Sequence, residues 1–420
     1  MMKPTEDNPP SPPDKEDLAK PAYRSGWWAG LSRNVIRMGW ISFFADVSSE
    51  MLYPLVPIFL TTILGAPAAV VGLIEGLAEA TASLMKTVSG RWSDRIGKRR
   101  IFIFFGYAFS ALAKPLIGIA TAWPLVMTAR VADRFGKGLR SSSRDALLAD
   151  SASTEMRGKA FGWHRAMDTM GAVVGPLLAL LLVSLTNGNL RLVFLLAFLP
   201  GVLGALLVLT IREKRLAPQG KASLKVAYQA LPVPFRRYLW AWAIFSLANS
   251  SDVFLILRSQ QTGFSTTLVV LVYALYNMVY ALGSPILGQL SDRLGRKRVM
   301  VGGLIVFALV YLGFALVGAA WEIWILFAVY GLYIAATDGV GKALAVDLVS
   351  PEMRATAVGF LGTVTGVATL IASTVAGLLW SSVGSWSAFA YGAVGALIGA
   401  VLLARLPIMA QLSQQVRASS

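Results

Sequence analysis

Gly90-Arg-Trp-Ser-Asp94-Arg95-Ile-Gly97-Lys98-Arg99-Arg100 recurs in the second half of the chain as Gly288-Gln-Leu-Ser-Asp292-Arg293-Leu-Gly295-Arg296-Lys297-Arg298. Each copy follows one long apolar segment and precedes another. A tight, basic, glycine-containing loop that returns at half the chain length signals two homologous halves, and in a membrane two such halves signal a transporter. The duplication keeps its register elsewhere. Asp150, Glu155-Met-Arg157 and Gly162 return as Asp347, Glu352-Met-Arg354 and Gly359, and Ala45-Asp46-Val-Ser48 is echoed by Ala248-Asn249-Ser-Ser251.

Composition agrees. Of 420 residues, 56% are hydrophobic and only 14% charged, with a mean hydropathy of +0.63; soluble domains carry about a quarter charged residues. The net charge of +16 does not point to nucleic acid, because Lys and Arg gather in short runs between apolar segments, as they do in cytoplasmic loops. The absence of cysteine excludes thiol chemistry, and one histidine leaves no imidazole metal centre. No G-x-x-x-x-G-K loop followed by Ser or Thr speaks for direct ATP drive. No cofactor is expected, and no nucleophile–base set marks an enzyme.

A membrane-crossing helix needs about 20 apolar residues. Against that length the chain reads as an all-α membrane protein with twelve transmembrane helices in two pseudo-symmetric six-helix bundles. The segments run over 34–63, 68–89, 100–121, 124–148, 158–185, 190–211, 237–258, 267–289, 299–319, 322–347, 355–383 and 386–406. Residues 1–33 read as a disordered cytosolic tail, Pro-rich, charged and without the apolar core of a signal peptide. Residues 34–211 form the N-terminal bundle, 212–236 a cytoplasmic linker, 237–406 the C-terminal bundle and 407–420 a second cytosolic tail. The basic loops put both termini on the cytoplasmic side of a bacterial inner (plasma) membrane. Hydropathy alone misses segment 124–148, which Arg130, Asp133, Arg134, Lys137, Arg140, Arg144 and Asp145 interrupt; its alignment with the more apolar Glu322–Val346 restores it.

These residues resemble the major facilitator superfamily. Both repeated loops look like its signature loop, and Arg134-Phe-Gly-Lys137-Gly138 resembles its fourth-helix pattern Arg-x-x-Gln-Gly, with Lys137 in place of glutamine. Gly162, Gly171, Gly175 and Pro176 are similar to the fifth-helix pattern of the family's antiporters, which departs at Ala179-Leu180. The resemblance covers about residues 34–406. It implies two six-helix bundles around a central cavity, working by alternating access.

The motifs assign expected roles. Gly90, Asp94, Arg95, Gly97, Asp292 and Arg293 form the gating set, with Asp94 as a latch that pairs with a cation or a helix N-terminus in one state and releases it in the other. Gly171, Gly175 and Pro176 join that set as a close-packed, kinked seam; plain helix packing explains them equally. Ionisable residues inside a membrane cost about 2.5–3.5 kcal/mol each on insertion scales, so those present need a reason. Asp46 and Glu50, four apart on one face, are expected to carry protons, joined by Glu79, Asp133 and Asp168. A carboxylate in low dielectric holds its proton more tightly, which suits a proton carrier. Lys114, Arg130, Arg134, Lys137, Asn249 and Asp252 are expected to line the substrate cavity. A static ion-pair network that fixes the first bundle is the other reading for Glu75, Lys86 and Arg165; Asp338 and Lys342 are expected to pair along one helix.

The sequence therefore describes a monomeric secondary transporter whose partners are a small-molecule substrate, protons and the lipid bilayer, with no nucleic acid. Proton-coupled export of a small organic solute leads. Proton-coupled import of an organic anion, with Arg130, Arg134, Lys137 and Lys114 as the anion site, is the second reading. A non-transporting receptor or scaffold is the third, and has no use for so many intramembrane charges.

Overall fold

The computed structural model describes residues 31–152, 156–213, 228–350 and 353–407, with backbone alone at Arg91, Asp94, Arg157, Gly158 and Ala355. Most of the 1–33 tail, most of the 212–236 linker, nearly all of the 407–420 tail, Glu155 and Glu352 therefore lie outside the described residues, as does the side chain of Asp94.

Every regular element among the described residues is helical. Helix α1 (Arg33–Glu50) starts on Ser32, whose side chain accepts from the Val35 amide. A turn at 51–54 leads into α2 (Leu55–Ile58), which continues as a π turn over Phe59–Ile63. There follow α3 (Ala68–Ile96), α4 (Arg99–Gly118), α5 (Trp123–Asp150), α6 (Arg157–Leu185), α7 (Leu190–Leu196) and α8 (Phe198–Val208). Then come α9 (Val233–Ser246), α10 (Val253–Gln261), α11 (Thr266–Leu294), α12 (Arg296–Leu316), α13 (Ala320–Asp347), α14 (Arg354–Ser382) and α15 (Ser385–Arg405).

Ten helical segments among the described residues are long and apolar enough to cross a membrane. The two further crossings expected from sequence fall short for different reasons. Helix α5 is 28 residues long but too charged. The stretch read as 237–258 is broken, into α9 of 14 residues and α10 of 9. Large apolar side chains face outward, including Leu185 (70% exposed), Leu282 (67%) and Leu316 (74%). Water would penalise such a surface, and hydrocarbon matches it.

Several boundaries differ from the sequence reading, each with a local cause. The repeated motif is not a loop along most of its length. Helix α3 continues to Ile96 and reverses at Gly97, which takes φ 65 in the left-handed region open to glycine. Helix α11 likewise runs to Leu294 and stops at Gly295, φ 94. The first segment breaks after Glu50, next to Pro54, which lacks an amide donor and bars its predecessor from helix. The sixth segment divides at Ala197, where Pro200 enters the next turn and the Ser48 hydroxyl donates to the Ala197 carbonyl at 2.5 Å. The break between α9 and α10 holds Asn249, Ser250 and Ser251, side chains that compete with helical hydrogen bonds; the Ser251 amide goes instead to Ser373 Oγ at 3.0 Å. Helix α9 begins at Val233, inside the expected linker.

Charged α5 lies against α3 and α4 because glycines remove the side chains between backbones. A Cβ at Gly136 would stand 2.4 Å from the Gly106 carbonyl, and one at Gly138 would stand 2.5 Å from the Ala82 carbonyl. The row Arg130, Asp133 and Arg134 is thereby pressed into the interior. Helix α3 also runs along α14, from the Ala69 amide on Ser381 Oγ (3.1 Å) to the Thr87 and Thr363 hydroxyls, 2.9 Å apart. Helix α6 packs on α11, and α2 on α10.

Candidate functional site

The deepest charges form a closed network. Arg130 Nε and Nη2 donate to the two Glu75 carboxylate oxygens at 2.8 and 2.6 Å, with both side chains buried. Asp133 stands 3.6 Å from Arg130 and 3.8 Å from Lys114, and accepts from the Ser110 hydroxyl. Lys114 Nζ also donates to the Ser110 carbonyl at 3.0 Å. One turn further along α5, Arg134 faces Glu79 at 3.5 Å, and Glu79 keeps 39% of its side chain accessible. Acids and bases thus neutralise one another across α3, α4 and α5, the arrangement that makes buried charge tolerable.

Asp46 and Glu50 lie beside this network on α1, at its seam with α6. Gly171 and Gly175 make the seam. A Cβ at Gly171 would meet the Phe43 carbonyl at 2.8 Å and Asp46 Cβ at 2.9 Å; one at Gly175 would meet the Val47 carbonyl at 2.8 Å and Glu50 Cβ at 2.9 Å. The antiporter-like glycines and the two expected proton carriers are opposite sides of one contact. Pro176 follows within α6. Asp168 is held by the Ser42 hydroxyl and lies 3.6 Å from His164 Nδ1. Lys137 is exposed although its neighbours Asp133 and Arg134 are buried.

The second half contributes tyrosine hydroxyls around a few charges. Tyr273 donates to Glu50 Oε2 at 2.7 Å across the two halves of the chain. Tyr330 and Tyr276 donate to the Asp252 carboxylate at 2.6 and 3.2 Å. Asn249 Nδ2 reaches the Tyr333 hydroxyl at 3.4 Å. Near the basic end of α6, Arg165 Nη2 donates to Tyr280 at 2.5 Å, and Tyr280 donates to Asp338 at 2.9 Å. Lys342 binds the same Asp338 at 2.6 Å, the pair expected along one helix.

The repeated motif is less alike in its two copies than in sequence. Gly90 is fitted against Ser142, 3.0 Å from where a Cβ would stand, whereas nothing lies within 4 Å of Gly288. Asp292 is largely exposed and faces Arg296 at 3.5 Å; Arg296 in turn pairs with Asp347. In the first copy Arg99 pairs with Asp150. Arg95 and Arg293 point outward, exposed.

Sequence comparison agrees with this architecture. The model of the Major Facilitator Superfamily matches residues 38–271 and again 241–415. The chain belongs to that superfamily. An MFS-type transporter of Methanocaldococcus jannaschii is 36% identical over 379 residues, 89% of this chain and 94% of its own length. Multidrug resistance protein 1 of Bacillus subtilis is 25% identical over 233 residues, 54% of this chain and 58% of that protein. The crystal structure of a nucleoside transporter superposes with a TM-score of 0.73 at 15% identity, covering 89% of this chain and 99% of that one. At that identity the likeness is one of fold. As a superfamily member, the chain is a multi-pass membrane protein and a secondary transporter of small molecules, not an enzyme.

Within this superfamily member the expected residues divide into two groups. Lys114, Arg130, Arg134, Glu79 and Asp133 join the internal network, and Asp168 joins His164 and Ser42. Asp46, Glu50 and Asp252 form no ion pair among the described residues. Tyr273, Tyr276, Tyr280 and Tyr330 escaped the sequence reading, because aromatic residues in apolar helices look like packing or interface belts. The tyrosines of α11 recur at helical spacing, a sign that they share one face.

Proposed function

We propose that this transporter crosses the membrane twelve times, as two six-helix bundles over 34–211 and 237–406 joined by a cytoplasmic linker. It then exports a small organic solute from a bacterial cytoplasm in exchange for protons, by alternating access, as a monomer with both termini inside. Helix α5 supplies one of the two charged or broken crossings, and its ion pairs offset the cost of its charges in the bilayer. Asp46 and Glu50 carry the protons. The observation that carries this reading is their placement: two carboxylates that make no ion pair among the described residues, held against the glycine seam of α6. A carboxylate without a cation is the group that gains from taking up a proton. Export gains support from the similarity to a multidrug resistance protein and from the antiporter-like glycines. Import of an organic anion has less support, since three of its four expected residues, Arg130, Arg134 and Lys114, already have Glu75, Glu79 and Asp133 as partners, which leaves exposed Lys137. Asp94 is proposed to latch the cytoplasmic side.

The test uses inside-out membrane vesicles with an acidic interior and ethidium as reporter. Dye should accumulate, leave when nigericin collapses the pH gradient, and fail to accumulate with Asp46→Asn or Glu50→Gln. Accumulation that survives both the ionophore and the two substitutions would refute proton coupling at these residues. For the latch, Asp94→Asn should shift spin-label distances between the cytoplasmic ends of α3 and α14; an unchanged distribution contradicts it.

A further inference from the structure

Of the three interrupted segments, two carry a carboxylate at the break. Glu50 ends α1 before the turn at 51–54, and Asp252 stands immediately before α10 after the break at 247–252. Irregular backbone at membrane depth survives only where protein or a water-filled cavity satisfies it, and discontinuous helices are where membrane transport sites are built. The two interruptions meet: α2 packs on α10, and Tyr273 from α11 reaches Glu50.

The surroundings are aromatic and hydroxylated. Tyr53 stacks on Tyr273 with ring centroids 5.3 Å apart, Tyr273 meets Tyr276 at 5.4 Å, and Tyr276 meets Tyr330 at 5.6 Å. Three of these hydroxyls donate to Glu50 or Asp252. Arg130, bound to Glu75, lies 6.0 Å from the Tyr53 ring centroid, so this aromatic wall already tolerates one cation on a face. Glu50, Tyr53 and Asp252 keep part of their surface accessible. At the same break Ser246, fully buried at the end of α9, has no partner for its hydroxyl among the described residues.

The contrast with the rest of the interior is chemical. Glu75, Glu79, Asp133 and Asp338 each face a lysine or arginine, and Asp168 faces a histidine. Among the described residues Glu50 and Asp252 form no ion pair and accept from tyrosine hydroxyls. A half-buried carboxylate without an ion-pair partner gains from an incoming cation, and here stacked rings that favour cations stand beside it. We infer that Glu50, Asp252 and the four tyrosines bind an organic cation, a protonated amine or quaternary ion on an apolar body, as the transported substrate. This deepens the proton-coupled reading in one respect. Proton and cation compete for Glu50, so that one leaves as the other arrives.

The test is equilibrium dialysis of the full-length protein in detergent with tetraphenylphosphonium, and with tetraphenylborate as the same shape of opposite charge. The cation should bind at one site per chain and the anion should not compete. Asp252→Asn and Glu50→Gln should each weaken binding at least tenfold, while Asp252→Glu, which keeps the charge, should stay within threefold of the parent. Size-exclusion elution and tryptophan fluorescence confirm that each variant is folded, and Glu50→Gln alone suffices if Asp252→Asn is not. Equal or tighter binding of tetraphenylborate, or undiminished cation binding in both neutralised variants, overturns the inference. Carboxylate-dependent cation binding without proton release would uphold the cation site and refute the proton-coupled reading; proton release by other solutes without cation binding would do the reverse.

Discussion

Glu75→Gln should destabilise the protein more than any surface substitution. The pair it breaks is bidentate, at 2.8 and 2.6 Å, with side chains 2% and 5% exposed. Neutralising the acid leaves a guanidinium in the protein interior, and removing one partner of a buried pair costs about 3–5 kcal/mol. Arg130 retains Asp133 at 3.6 Å as a second acid, which places the expected loss near the lower end, about 3 kcal/mol. Replacing both partners, Glu75→Leu with Arg130→Met, removes the stranded charge. The double variant should therefore be more stable than the sum of the single effects, with a coupling of about 2 kcal/mol. The assay is reversible unfolding in mixed micelles as the fraction of SDS rises, followed by far-ultraviolet circular dichroism. A loss under about 1 kcal/mol for Glu75→Gln, or simple additivity in the cycle, would refute the reasoning.

Gly175→Val should cost about 1–3 kcal/mol by overpacking and abolish dye accumulation, since its Cβ would meet backbone at 2.8 Å; Gly288→Ala, with nothing within 4 Å, should change neither. Equal effects in melting and accumulation assays would contradict the seam. Arg165→Gln removes the tie from α6 to Tyr280 and Asp338; because Arg165 is 60% exposed, stability should fall by less than about 1 kcal/mol. The spin-label distance between the cytoplasmic ends of α6 and α11 should nonetheless lengthen, and an unchanged distribution would show that this tie does not hold the two helix ends together. Asp292→Asn should be nearly silent in the SDS assay, since its carboxylate is 64% exposed in its pair with Arg296; a loss above about 1 kcal/mol would show that the pair does more than a surface ion pair does.

How far the sequence could be read depends on the range of each interaction. The duplicated motif, the apolar lengths and the register of α5 are local or periodic, and they were legible. The pairing of Asp338 with Lys342 was legible too, because both lie on one helix. The partners of Arg130 and Lys114 were not, because Glu75 and Asp133 reach them from α3 and α5 by packing that no spacing encodes. Pro54 announces the break after Glu50, and Asn249-Ser-Ser hints at the one before Asp252. Nothing local says that the two breaks adjoin or that Tyr273 and Tyr276 of α11 reach Glu50 and Asp252. The motif around Asp94 was read as a loop because its charges suggest solvent; Gly97 in fact allows α3 to stay helical to Ile96 and turn at once.

The central claim is that Asp46 and Glu50 exchange protons for solute. The most direct measurement is the proton count released by unbuffered, detergent-solubilised protein when tetraphenylphosphonium is added, read with a pH indicator. The account predicts release of protons by the parent protein, with the release lost in the Asp46→Asn, Glu50→Gln double variant. Full release from that double variant would contradict it.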